Sequence, residues 1–242
     1  MVTLYNGDCM EVMLNQIEDE SIDTIVTSPP YNKSFFNKTT YNNQIWKGFE
    51  IKYASYSDDM PIEDYEKWMI EFIHLCLKKL KPGGSLFFNH KPIRHDNQIY
   101  HPIKFILDAG VNIYQEIVWD RKVSPNLRND VLSPCTERIW WITKGKPRVY
   151  KENVEEAYRT EVWGIPPRGG IDHPAPFPVE LPLNCILLTT QPGDVVLDPF
   201  LGSGTTGEAC LMSNRSIIGI EMDEGYFKKC QEKLSKSKEN LW

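Results

Sequence analysis

Two short stretches carry residue types and spacings able to do chemistry. The first is Asp198-Pro199-Phe200-Leu201-Gly202-Ser203-Gly204-Thr205-Thr206, directly after the apolar run Val195–Leu197. A buried strand that runs into a glycine-rich turn opening a helix lets backbone approach a ligand closely, with free helix N–H groups facing it. A phosphate-binding P-loop needs a lysine after the last glycine, and Thr205 stands there instead. Asp198 at the strand tip would repel a pyrophosphate and suits a ligand bearing an ammonium group. The second acid is Glu221, followed by Met222 and placed 23 residues beyond Asp198, at the end of the apolar run Ile217–Ile220. A carboxylate at a neighbouring strand tip is where a ribose diol is held by two hydrogen bonds. Alone, Glu221 is equally a solvated strand-end charge. Two acids with glycines between them fit a nucleoside carrying an amino-acid tail, and S-adenosylmethionine is that molecule.

The other stretch is Ser28-Pro29-Pro30-Tyr31, after the apolar run Ile22–Val26. Consecutive prolines fix the backbone and lack N–H groups, so the segment is rigid and offers carbonyl acceptors, a hydroxyl and an aromatic face. Such a lip accepts hydrogen bonds from an –NH2 group. A conjugated exocyclic amine is a poor nucleophile because its lone pair is delocalised. Acceptors that hold its N–H bonds in tetrahedral directions favour the pyramidal nitrogen of the transition state. By itself the tetrapeptide also reads as a tight turn.

The elements that must position these stretches alternate as in an α/β protein. Strands are expected at Val2–Tyr5, Ile22–Val26, Ser85–Phe88, Asn112–Trp119, Arg138–Thr143, Val195–Leu197 and Ile217–Ile220. Helices are expected at Met10–Leu14, Ile62–Leu80, Ile99–Asp108, Val179–Thr189, Thr205–Met212 and Glu224–Ser235. Residues 32–60 and 144–172 read as long irregular segments that interrupt one domain rather than divide two. Only one strand follows the glycine loop, so the third strand of the ligand half must come from the N-terminus. There Asp8 is placed either to accept from an adenine amine or to cap the helix that follows. The order of elements is therefore circularly permuted.

The 242-residue composition is that of an ordinary globular chain, with no apolar run long enough to span a bilayer and no secretory leader, which points to the cytoplasm. Six cysteines and five histidines form neither C-x-x-C nor zinc spacing, so no metal is expected. The formal charge is −6, yet residues 121–151 carry +6 and residues 33–57 carry +3. Two basic stretches on an acidic body read either as a local phosphate-binding face or as solvated loop surface.

Together these motifs resemble the permuted, β-class amino-group DNA methyltransferases. The resemblance is carried by Thr27-Ser-Pro-Pro-Tyr-Asn32 and by Asp198–Thr206 downstream of it. Gly7-Asp8, Lys81-Pro-Gly-Gly-Ser-Leu-Phe87, Val118-Trp119, Thr136-Glu137-Arg138 and His173-Pro-Ala-Pro-Phe-Pro178 extend it over nearly the whole chain. It implies a Rossmann-like methyltransferase fold: a seven-stranded mixed sheet ordered 3-2-1-4-5-7-6. In chain order the strands would run third, fourth, fifth, sixth, seventh, first, second. It implies S-adenosylmethionine on Asp8, Cys9, Phe177, Asp198, Pro199, Phe200, Gly202, Ser203, Gly204, Thr205, Thr206, Glu221 and Met222, with Phe177 closing over the methionine end. Ser28, Pro29, Pro30 and Tyr31 become the catalytic lip, and Tyr31 stacks on a base flipped out of duplex DNA. A leading serine points to N4 of cytosine, with N6 of adenine the alternative.

DNA contacts are expected from Lys33, Lys47, Arg121, Lys122 and Arg128, with recognition shared between residues 33–57 and 144–172. A homodimer and a cognate restriction endonuclease remain open as partners. Pro134-Cys135 resembles the nucleophile dipeptide of cytosine-C5 enzymes, but their glycine loop lies upstream, not downstream. Methylation of RNA or of a protein amide, and a non-catalytic DNA-binding module on the same fold, are the remaining readings.

Overall fold

The computed structural model describes residues 1–33, 35, 58–95, 97–123, 131–167 and 177–239. In chain order its elements are β1 (Val2–Asn6), α1 (Cys9–Gln16), β2 (Ile22–Thr27), α2 (Ile62–Lys79), β3 (Leu80–His90), β4 (Ile93–His95) and β5 (Gln98–Tyr100). Then come α3 (Ile103–Asp108), β6 (Ile113–Asp120), β7 (Thr136–Thr143), β8 (Val162–Gly164), α4 (Glu180–Thr189), β9 (Val195–Asp198), α5 (Thr205–Met212), β10 (Ser216–Glu221) and α6 (Glu224–Glu239).

The main sheet runs β1-β10-β9-β2-β3-β7-β6-β8. Its first seven positions follow the expected order, permuted as the sequence implied. β7 is antiparallel to both β3 and β6, and the other pairs are parallel, so the sheet is mixed. The expectation of seven strands is corrected to eight among the described residues. β8 lies inside the segment read as irregular and pairs parallel to β6 at the edge. Three residues are too few for a period-2 pattern to show. Burial of Trp163 at 1% exposure is what fixes β8 in place.

Alternation along the strands divides the core into two layers. Ile25, Leu86, Phe88, Trp140, Ile142 and Leu197 face α1, α2 and α3. Val26, Phe87, Ile139, Trp141 and Val196 face α4 and α5. The central strand β2 is buried throughout, as expected for a parallel strand covered on both faces.

Two boundaries differ from the sequence reading. Helix α2 ends at Lys79 and β3 starts at once, carrying Pro82-Gly83-Gly84 inside the strand as an irregularity in its pairing with β2. Gly83 takes a φ of +81° there, and its N–H donates to the Lys144 carbonyl at 2.7 Å. The helix read at Ile99–Asp108 starts only at Ile103, because Pro102 disfavours helical backbone in the residue before it, and residues 98–100 pair with 93–95 instead.

Candidate active site

β9 and β2 are adjacent and parallel, with Ile25 level with Leu197. The glycine loop after β9 and the Ser28–Tyr31 segment after β2 therefore leave the same edge of the sheet side by side, strands being about 4.8 Å apart. Helix α2 joins the two. Its Tyr65 hydroxyl donates to the Pro30 carbonyl at 2.7 Å, while its Trp68 and Phe72 pack on Phe200 at centroid distances of 6.1 and 5.2 Å.

The glycine loop is held by the acids expected to hold the ligand. Asp198 is 1% exposed. Its Oδ1 accepts from the Phe200 N–H at 3.1 Å, and its Oδ2 accepts from the Thr206 hydroxyl at 2.6 Å. Burial pushes its carboxyl up to about 6 despite those two donors. The sequence reading turned Asp198 outward to an ammonium group; the structure turns it inward as the staple of the loop. Gly202 and Gly204 take φ of +53° and +85°, and a Cβ on Gly204 would lie 2.7 Å from Cys230 Sγ. Glycine is required there both by conformation and by space. Pro199, Thr205 and Thr206 are buried under the turn, while Ser203 is half-buried and Met222 exposed.

Glu221 ends β10 beside that loop. Its Oε2 accepts from the Gly202 N–H and its Oε1 from the Asp223 N–H, both at 2.8 Å. Burial raises its carboxyl above the ordinary value. The third tip is N-terminal: Asn6 Nδ2 donates to the Glu221 carbonyl at 2.8 Å, and Gly7 N–H donates to it at 3.2 Å. Asp8 then caps α1, its Oδ1 accepting from the Met10 and Glu11 N–H groups at 2.9 and 3.0 Å. The capping alternative is thus the observed one, with Oδ1 the oxygen it uses. Cys9 is buried in the core with Cys76. Phe177 is half-buried against the α4 side of the core. Three strand tips carrying carboxylates around a positive-φ glycine turn fit a nucleoside with a zwitterionic tail, and a turn without a lysine does not suit a polyphosphate.

The lip is a connected polar network. Ser28 Oγ and Tyr31 Oη are 2.9 Å apart, and the Tyr31 hydroxyl donates to Glu137 Oε2 at 3.1 Å. Asn89 Nδ2 donates to Tyr31 Oη, Glu137 Oε2 and Ser28 Oγ at 2.8, 3.1 and 3.3 Å. Arg121 Nη1 reaches the other oxygen, Glu137 Oε1, at 3.3 Å. Burial, and then the charge of Glu137, push the Tyr31 phenol well above its ordinary value, so it stays protonated.

One face of Tyr31 is already covered. His90 stacks on it at 4.2 Å. Burial drives His90 down to about 3, so its ring is neutral. His90 Nδ1 lies 2.8 Å from the Lys91 N–H and 2.9 Å from the Lys91 carbonyl, and its Nε2 lies 2.9 Å from Tyr65 Oη, whose own proton goes to the Pro30 carbonyl. Over the Tyr31 ring sits Lys33 Nζ, 5.0 Å from the centroid. Burial lowers the Lys33 amine, and burial with the charges of Lys33 and Arg121 lowers Lys91 to about 8. Asn89, His90, Lys91 and Tyr65 were not singled out by the sequence reading, and Glu137 entered only within the Thr136-Glu137-Arg138 stretch, with no role in the site. The available signal was weak: polar residues closing the apolar run Leu86–Phe88, and an acid opening the apolar strand Ile139–Ile142.

The basic stretch at 121–151 is mostly paired. Arg121 meets Glu137, Lys122 meets Asp120 at 2.7 Å, Arg138 meets Glu116 at 2.8 Å and Lys144 meets Glu20 at 2.9 Å. Arg148 meets the buried Asp23 at 2.7 Å. Arg121 is thus committed inward, whereas Lys122 holds an exposed pair that costs little to exchange. Lys47 and Arg128 lie outside the described residues, as do 34, 36–57 and His173–Pro176. The ends of the 33–57 segment are tied together: Asn32 exchanges two hydrogen bonds with the Met60 backbone at 2.7 and 2.8 Å, and the Lys33 N–H donates to Asp58 at 2.9 Å.

This edge, with a glycine loop on one side and a Ser-Pro-Pro-Tyr lip on the other, is that of an amino-group DNA methylase. The chain belongs to the N6/N4 DNA methylase family, whose model matches residues 22–232. It is 29% identical over 258 residues to the type II methyltransferase M.BglII of Bacillus subtilis, covering 92% of this chain and 66% of that protein. It is 27% identical over 258 residues to the type II methyltransferase M.HinfI of Haemophilus influenzae, covering 98% and 69%. The chain thus spans just under two thirds of the first relative and just over two thirds of the second. In fold it is similar to PvuII DNA methyltransferase (cytosine-N4-specific), with a TM-score of 0.76 over 99% of this chain and 92% of that one at 23% identity. A Thermus thermophilus protein solved with S-adenosyl-L-methionine gives 0.69 over 98% and 96% at 24% identity. S-adenosylmethionine is the cofactor of this methylase family, as the sequence led us to expect.

Proposed function

We propose that this protein methylates the exocyclic amine of a base flipped out of duplex DNA, N4 of cytosine in first place. The observation that carries this reading is the adjacency of β9 and β2, which sets the glycine loop and the acceptor lip on one edge. Glu221 would hold the ribose diol of S-adenosylmethionine, the free oxygen of Asp8 the adenine amine, and the backbone of the Gly202–Gly204 turn the tail, with Phe177 over it. When bound, the cofactor supplies an electrophilic methyl carried on sulfur. The chain's own contribution is to seat the amine. Ser28 Oγ and the carbonyls of the rigid lip accept its N–H bonds and favour the pyramidal nitrogen, and the fixed neighbour strand sets the approach.

The base assignment rests on Ser28 alone, since the matched family includes both N4 and N6 enzymes; N6 of adenine is the alternative. DNA grip falls to Lys122 and to the lysines around the mouth, Lys33 and Lys91, with Lys47, Arg128 and the 33–57 segment added from sequence. Residues 144–172 contribute less than the sequence suggested, since Val154, Trp163 and Ile165 are core. A single domain, cytoplasmic placement and pairing with a restriction endonuclease go with this reading. A competition between cytosine- and adenine-labelled duplexes, using tritiated cofactor and nucleoside analysis, tests it. Label in N4-methylcytosine is expected. Label only in N6-methyladenine moves the base assignment, and label in RNA or protein alone overturns the reading.

A further inference from the structure

The lip contains a serine, which can either donate or accept, yet discrimination between an amine and a carbonyl requires one of the two. The structure resolves this through its hydrogen-bond directions. Asn89 Nδ2 can only donate, and a Glu137 carboxylate can only accept. Tyr31 must therefore give its proton to Glu137 Oε2, the oxygen that Arg121 leaves available. Its Oη then accepts from Asn89 and from Ser28. Ser28, having spent its only proton on Tyr31, presents the substrate with a lone pair and nothing else.

Resting on the methyltransferase reading above, we propose that Glu137 is a positioning residue. Acting through Tyr31, it fixes Ser28 as a pure acceptor, so the site admits an exocyclic amine and rejects the carbonyl that a deaminated base carries in its place. The same chain drains the spare proton. Once the nitrogen has gained the methyl group, one N–H proton passes to Ser28 Oγ while its electron pair stays on nitrogen. The Ser28 proton moves to Tyr31 Oη and the Tyr31 proton to Glu137 Oε2. Both hydroxyls are restored, and the carboxylate ends as the neutral acid. Glu137 touches no substrate. It lies 7% exposed at the start of β7 and acts only through side chains it bonds.

Two variants test this: Glu137→Gln, whose amide can turn a donor toward Tyr31 and reverse the chain, and Tyr31→Phe, which cuts it. The probes are duplexes carrying the mapped methylation site with either the target base or its carbonyl counterpart, uracil for cytosine or hypoxanthine for adenine. Binding is read by fluorescence anisotropy with S-adenosylhomocysteine present, and kcat and KM are read on the amino duplex. The ratio of amino to carbonyl binding is the diagnostic, because easier flipping of a mismatched base cancels between variants. We expect that ratio to fall about tenfold in each variant, and kcat to fall about a hundredfold with KM for DNA within threefold. The double variant should be no worse than Tyr31→Phe alone. A ratio and a kcat within twofold of the parent in Glu137→Gln, or additive losses in the double variant, overturn the proposal. If Glu137→Gln melts early, the Tyr31→Phe ratio alone decides. Should the unsubstituted protein methylate no DNA amine, the functional reading fails instead, and the two failures remain distinct.

Discussion

The two halves of the sheet edge are built on different principles. The cofactor side is made largely of backbone: a strand, a positive-φ turn and a helix, held by Asp198 on Thr206 across 8 residues and by Glu221 on Gly202 across 19, with the N-terminal strand tip docked on Glu221. The lip is made of side chains brought from β2, α2, β3, β6 and β7, and Tyr31 meets Glu137 across 106 residues of sequence. A local site tolerates movement of the rest of the fold. A convergent one depends on strand register, here the pairing of His90 with Arg138 that sets Asn89 and Glu137 beside the lip. Damage to the first should therefore appear in cofactor affinity, and damage to the second in turnover.

The largest effect is expected from Gly204→Ala. The left-handed φ costs about 1–2 kcal/mol for a residue with a Cβ, and the contact with Cys230 adds about 1–3 kcal/mol of overpacking. We expect about 3 kcal/mol less stability by urea unfolding, and cofactor binding too weak to see by calorimetry.

Next comes the pH dependence carried by Asp198. Its folded-state value of about 6 lies above that of an unfolded carboxyl. The folded chain therefore binds more protons between about pH 4 and 6, and stability falls as pH rises through that window. The ligand-free protein should lose about 2 kcal/mol there from this group, and Asp198→Asn should flatten that part of the curve while weakening cofactor binding. A curve unchanged by Asp198→Asn would remove the buried staple from the explanation.

How far the sequence could be read follows the same division. Asp198, Gly202, Gly204 and Glu221 were legible because strand, turn and helix signals sit next to one another. Even so, the outward role given to Asp198 missed that a strand-tip acid finds the loop's own donors first. Asn89, His90 and Glu137 were not legible, because nothing local says which strands will be neighbours. The pairing within the +6 segment was hidden for the same reason. Charges were counted along the chain, while Asp23 reaches Arg148 from 125 residues away.

A smaller effect is expected from Tyr65→Phe, which frees the Pro30 carbonyl and removes a partner of His90. A loosened lip should lower kcat about fivefold, the worth of one buried hydrogen bond at about 1 kcal/mol, and leave cofactor affinity unchanged. Equal loss of both would mean that the two halves are not separable. The smallest is Lys122→Glu. Its exposed pair with Asp120 adds little stability, so the melting temperature should hold, while the salt dependence of DNA binding should drop by about one phosphate contact. An unchanged salt slope would take Lys122 off the DNA.

The most direct measurement is methylation-aware sequencing of DNA from cells expressing the protein, beside cells expressing Ser28→Ala. The expected result is N4-methylcytosine at one recurring sequence, absent with the variant. Genomic DNA carrying 5-methylcytosine instead, or the same mark undiminished with Ser28→Ala, would contradict an amine seated on the lip beside the glycine turn.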